Sequence, residues 1–158
     1  MLLTVLQKFL VYGHLGILIE FWFTGIYSLY DKNWKMTGYS YLPMIFIYGV
    51  TALILEALSA ALPWPFYLKA FVYVPIIYGI EALSGWTLKL VTGFIQKRLG
   101  GHGGDVIPWD YSKSKWTPMG LINLKYAPFW LILALAFGPI STYVAKVLRL
   151  AANSTFGE

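Results

Sequence analysis

The chain has 158 residues, of which 58% are hydrophobic and 12% charged, with a formal net charge of +5 and a mean hydropathy of +0.63. A soluble domain of this size needs far more charge to cover its surface, so that class is excluded. The absence of cysteine excludes disulfides, thiolate nucleophiles and cysteine-ligated metals, and the scatter of Lys and Arg through loops and helix ends argues against a nucleic-acid partner.

The apolar residues fall in blocks long enough to cross a bilayer, which takes roughly 20 residues of helix. Tyr, Trp and Phe gather near the ends of those blocks, where amphipathic rings prefer the headgroup level. The opening run MLLTVLQKFLVYGHLGILIEFWFTG is too long for a signal peptide, carries Glu20, and has no small-residue cleavage site. It reads as a short amphipathic lead into a first span over about 9–29, ended by the polar turn Asp31-Lys32-Asn33. A second span covers about 42–62 and closes at Pro63-Trp64-Pro65, where a helix cannot continue. The third covers about 66–92, with a kink expected at Pro75, and a charged, Gly-rich stretch follows at 97–118. The fourth covers about 120–146 and contains Pro128 and Pro139; the tail is expected to fray at Asn153-Ser154-Thr155. The fold class is therefore all-α: a polytopic four-transmembrane-helix bundle forming a single integral membrane domain over 1–158. Lys32, Lys35, Lys97, Arg98, Lys113 and Lys115 on one side outnumber Lys8, Lys69, Lys146 and Arg149 on the other. The positive-inside rule then puts the two polar loops in the cytoplasm and both termini outside.

Glu20, Glu56 and Glu81, one in each of the first three spans, are the most informative residues. A carboxylate at a helix centre costs roughly 2.5–3.5 kcal/mol on insertion scales, so three of them need an offsetting reason. Each lies on a stripe of small and polar residues at helical spacing: Gly13, Gly16, Glu20 and Thr24; Gly49, Ala52, Glu56 and Ser59; Tyr78, Glu81, Ser84 and Gly85. Small residues let membrane helices approach closely, so the carboxylates are expected to face helix neighbours rather than lipid. The fourth span offers Asn123, Ala127, Ala134, Gly138 and Ser141 as a matching face. Depth estimates suggest two polar layers, Glu20 with Glu81 and His14 with Glu56. The candidate substrate or ion site is thus Glu20, Glu56, Glu81, His14, Tyr78 and Asn123; interhelical glue is the structural alternative.

The run Gly100-Gly101-His102-Gly103-Gly104-Asp105 reads as a turn. It has no following Gly-Lys-Ser/Thr to hold a phosphate, and His102 with Asp105 is too sparse for a metal site. Pro108-Trp109-Asp110-Tyr111-Ser112 places a rigid residue, an interfacial ring, an acid and a phenol beside a membrane boundary. With Lys89 and Lys125 expected at the same level to pair with Asp110, Trp109, Asp110 and Tyr111 form a candidate interfacial gate, or else an anchor with a capping Asp.

Phe21-Trp22-Phe23-Thr24 after Glu20, Asn33-Trp34-Lys35, Ile47-Tyr48-Gly49 ahead of Glu56, Glu81 with Gly85, PWDYS at 108–112, and Met119-Gly120-Leu121-Ile122 with Tyr126 together resemble the vertebrate transmembrane protein 229 family and its bacterial relatives, catalogued as putative ABC-transporter type IV proteins. The resemblance covers most of residues 12–130. It implies that Glu20, Glu56, Glu81, Trp109, Asp110 and Tyr111 stand at family positions, in a protein of the bacterial cytoplasmic membrane. The run from Gly85 to Pro108 is longer than the family pattern and has a second Thr-Gly at 92–93.

Three functions remain open from the residues. Transport would use the carboxylates to bind a proton or cation; lacking a Walker motif, the chain would need a separate ATPase or membrane subunit, and a homodimer would supply eight helices. A lipid-modifying membrane enzyme would use paired carboxylates as acid and base. An accessory protein of a larger complex would use the same stripes for assembly. No cofactor is expected.

Overall fold

The computed structural model of the protein describes residues 2–99 and 109–156. Every regular element among them is helical: α1 (Leu2–Tyr27), α2 (Met44–Ala61), α3 (Phe66–Leu99) and α4 (Ala127–Phe156), with short 3-10 turns at Ser28–Asp31, Pro118–Gly120 and Leu124–Tyr126. All four long helices are long and apolar enough to cross a membrane. Large apolar side chains such as Trp22, Phe71, Leu83 and Ile132 are 62–68% exposed. On a water-soluble surface such residues would be an association liability; on a membrane span they are the lipid-facing surface.

The chain divides into two compact units, 1–64 with 136–158, and 65–135. In the first, α1 and α2 pack antiparallel through glycines. A methyl at Gly13 would lie 2.6 Å from the Ile45 carbonyl oxygen, one at Gly49 would lie 2.8 Å from the Phe9 carbonyl oxygen, and one at Gly16 would overlap the Tyr48 ring. These contacts are the close backbone approach that small residues permit in lipid. Tyr12, Leu55 and Val144 complete the buried centre of this unit, with the Tyr12 and Phe137 rings 6.0 Å apart.

The turn after α1 does more than connect. Lys32 adopts a left-handed conformation (φ 57°) that closes the 3-10 turn, and the chain then doubles back along α1. The Tyr39 amide donates to Thr24 Oγ1 at 2.9 Å, and Gly38 comes so close to the Phe21 carbonyl that no side chain would fit.

In the second unit, α3 passes through Pro75 and reaches Leu99, with Lys97 and Arg98 in its last turn, where cations complement the helix dipole. This is one turn or more beyond the expected end near residue 92. The start of the fourth span also differs from expectation. Residues 120–126 are not α-helical: Met119 (φ 56°) and Gly120 (φ 67°) are left-handed and Asn123 is extended, so the α-helix begins only at Ala127. Pro128 then sits in the first turn, where its missing N–H costs nothing. At the other end α4 continues through Asn153-Ser154-Thr155 to Phe156, so the expected fraying point is helical.

Candidate functional site

The three glutamates have different surroundings. Glu20 is met by the returning turn: Ser40 Oγ donates to its Oε2 at 2.6 Å, and the Tyr48 hydroxyl also hydrogen-bonds to it. Glu20 precedes the end of α1 at Tyr27 by seven residues, so the turn carries Ser40 about 10 Å back along the helix.

Glu56 is ion-paired. Lys8 Nζ lies 2.6 Å from Glu56 Oε1, and the two side chains are 22% and 27% exposed. This pair replaces the expected layer of His14 with Glu56. His14 is exposed and its Nδ1 lies 2.7 Å from the Leu10 carbonyl of its own helix. The antiparallel register explains the choice, because the alignment that sets Phe9 on Gly49 and Gly13 on Ile45 leaves His14 further along α2 from Glu56 than Lys8, whose long side chain spans the remaining distance.

Glu81, in the second unit, is met by a phenol. The Tyr111 hydroxyl hydrogen-bonds to its carboxyl, while Oε2 is shielded from solvent and has no hydrogen-bond partner among the described residues. The expected layer of Glu20 with Glu81 is not the source of either group's hydrogen bonds, since those found lie within each glutamate's own unit.

Tyr111 reaches Glu81 because 109–112 is fastened to 119–122. Trp109 Nε1 donates to the Leu121 carbonyl at 2.9 Å, and the Tyr111 amide donates to the Gly120 carbonyl at 3.0 Å. Gly120 needs its left-handed backbone there, and a Cβ would lie 3.2 Å from Ser112 Cα. One turn beyond Glu81, Gly85 leaves room for both segments: a Cβ on it would meet Leu121 at 3.1 Å and Trp109 at 3.4 Å. The Tyr111 and Tyr126 rings meet edge-on at 5.8 Å. The WDYS and MGLI segments are thus one structural feature, a paired loop laid on the Glu81–Gly85 turn of α3.

A family model described as Putative ABC-transporter type IV matches residues 7–155. The chain belongs to that family. No solved structure matches it. The family match takes in both glycine-packed helices and the paired loop, and the chain is accordingly an integral membrane protein of this ABC-transporter-type family.

Other predicted residues of this family member fall around the same loop. The Tyr78 hydroxyl donates to the Asn123 carbonyl at 3.2 Å. Asn123, only 4% exposed, accepts from the Lys125 amide at 3.1 Å and reaches Ser114 Oγ at 3.4 Å. Asn123 is therefore a cap for the turn ahead of α4, a role its position before a helix start would have suggested. Asp110 accepts from the Ser112 amide at 2.9 Å and hydroxyl at 3.0 Å rather than pairing with Lys89 or Lys125. Those bonds to Ser112 hold its carboxyl below the usual aspartate range, with the charges of Lys89 and Lys113 adding to the effect. His102, Asp105 and Pro108 lie outside the described residues. Among those described, no group of three or more His, Cys, Asp or Glu is placed to hold a metal ion.

Sequence reasoning missed Lys8, Ser40 and Tyr48 as partners of the glutamates. It also missed an open groove of about 630 Å³ in the first unit, lined by Glu56, Ser141, Thr142, Lys146, Arg149 and Leu150 among others. Lys146 and Arg149 recur at helical spacing near the end of α4, which was the available signal.

Proposed function

We propose that the protein acts in membrane transport and that Glu81 is its proton- or cation-binding group, with Tyr111 and Tyr78 framing it. The observation that carries this reading is the shielded Oε2 of Glu81, unpartnered among the described residues. A buried acceptor left unsatisfied costs about 1–3 kcal/mol, and more if charged. A group kept at that cost in a membrane helix is best explained by a partner that comes and goes. Glu20 and Glu56 have hydroxyl and ammonium partners from the chain itself, which favours a structural role for these two.

In this reading the chain supplies the membrane part of a larger assembly. A separate subunit would provide ATP hydrolysis, and a second copy or another transporter subunit would complete the helix count. Trp109, Asp110 and Tyr111 would serve as the gate over Glu81, with Lys89 beside Asp110. The polar loops face the cytoplasm, and the PWDYS-to-MGLI arrangement is the feature through which kinship with the transmembrane protein 229 family is proposed.

Labelling by a hydrophobic carbodiimide, which modifies protonated carboxyls in apolar surroundings, tests the assignment on the full chain in lipid vesicles. Peptide mapping should find the label on Glu81, with labelling suppressed by the transported cation or by raised pH, and little on ion-paired Glu56. Equal labelling of the two, or labelling of Glu81 indifferent to cations and pH, would overturn the reading.

A further inference from the structure

We propose that the groove between α2 and the second half of α4 binds the phosphate headgroup of an anionic phospholipid, independently of the Glu81 site. The groove lies near the C-terminal ends of two apolar helices, so in a bilayer it opens at the headgroup level. Its charge is one-sided. The Glu56 carboxylate is neutralised by Lys8 at 2.6 Å, whereas Lys146 and Arg149 line the groove and have no hydrogen bond or ion pair among the described residues. Two cations three residues apart lie on one helix face, and Arg offers a planar fork suited to phosphate oxygens.

The hydroxyls nearby are committed elsewhere. Ser141 Oγ and Thr142 Oγ1 both donate to the Gly138 carbonyl, at 2.9 and 3.0 Å, so recognition falls to Lys146 and Arg149. Leu150 and two alanines give the groove an apolar wall, which suits the glycerol and upper acyl carbons of a lipid better than a free anion. A volume of about 630 Å³ is ample for a headgroup.

Native mass spectrometry of the detergent-purified full chain, offered phosphatidylglycerol or phosphatidylcholine, tests this. Phosphatidylglycerol should be retained in preference. Retention should fall about fivefold for each cation removed in Lys146→Gln and Arg149→Gln, and Arg149→Lys, which keeps the charge but not the fork, should fall between the parent chain and Arg149→Gln. Lys32→Gln with Lys35→Gln, the same charge change at the turn after α1, should leave retention unchanged. Helical content and elution behaviour establish that each variant is folded, and the single variants carry the test should the double variant be unstable. The proposal is overturned if the groove variants retain the lipid like the parent chain, if the Lys32 and Lys35 changes weaken it equally, or if inorganic phosphate binds with the same dependence on Lys146 and Arg149 while the lipid does not. None of these readouts depends on Glu81, so the transport reading stands or falls separately.

Discussion

Glu56 and Glu81 both lie in apolar helices able to cross a membrane, yet Glu56 meets an ammonium at 2.6 Å while Glu81 meets a phenol and keeps one oxygen without a partner among the described residues. An ion pair fixes its carboxylate, because either charge left alone would bear the desolvation cost. A phenol donates a single hydrogen bond and leaves the remaining lone pairs open to a proton or cation. The contrast separates a carboxylate that holds helices together from one suited to exchange, although both read alike as glutamates on small-residue stripes.

The largest expected effect belongs to the packing that sets the Lys8–Glu56 register. Gly13→Leu forces a side chain against the Ile45 carbonyl, 2.6 Å from where its Cβ would lie, and should destabilise by about 3 kcal/mol, as overpacking does. Thermal unfolding in detergent followed by helical circular dichroism checks it; an unchanged midpoint would mean that α1 and α2 are not held through this face. Next is the ion pair itself. Lys8→Met should cost about 2 kcal/mol, between the values for exposed and buried pairs, and adding Glu56→Leu should recover most of the loss. Failure of the second change to rescue the first would remove the structural role assigned to Glu56.

Tyr111→Phe deletes the hydrogen bond to Glu81 and should cost about 1 kcal/mol. A cost matching that of Lys8→Met would erase the contrast and make Glu81 a structural group too. The smallest effect concerns Asp110, whose carboxyl is held below its ordinary value of 3.8 by Ser112 and then by Lys89 and Lys113. Its contribution to stability is fully present above that value and is lost as pH falls through the lower value in the folded protein. Asp110→Asn should therefore give up that small contribution at neutral pH, leave stability at the acid end almost unchanged, and so flatten the profile below about pH 4, as thermal unfolding across the acid range would show.

Much of the fold is legible in the sequence because a bilayer allows few solutions. Four long apolar blocks, punctuated by Asp31-Lys32-Asn33 and Pro63-Trp64-Pro65, require helices, and Gly13, Gly16 and Gly49 mark the face on which two of them meet. The partners of the carboxylates are harder to read. Helical periodicity says which side of α1 Lys8 occupies but not which residue of α2 stands opposite, and a depth estimate alone favoured His14. Ser40 reaches Glu20 only because the turn doubles back, which left-handed Lys32 and the close approach of Gly38 permit and no periodicity encodes. Tyr111 meets Glu81 across thirty positions through hydrogen bonds between main-chain and ring groups. The family motifs pointed to both segments without saying that they pair. Hydrophobicity likewise extended the fourth span back to Gly120, where left-handed Met119 and Gly120 and the extended Asn123 interrupt the helix.

The assignment of exchange to Glu81 is tested most directly by infrared difference spectroscopy of the full chain in lipid, recorded on changing pH and on adding monovalent cations. A carboxyl band that responds in the parent chain, disappears in Glu81→Gln and persists in Glu20→Gln and Glu56→Gln is the predicted result. A responsive band that survives Glu81→Gln, or no responsive carboxyl at all, would contradict the account.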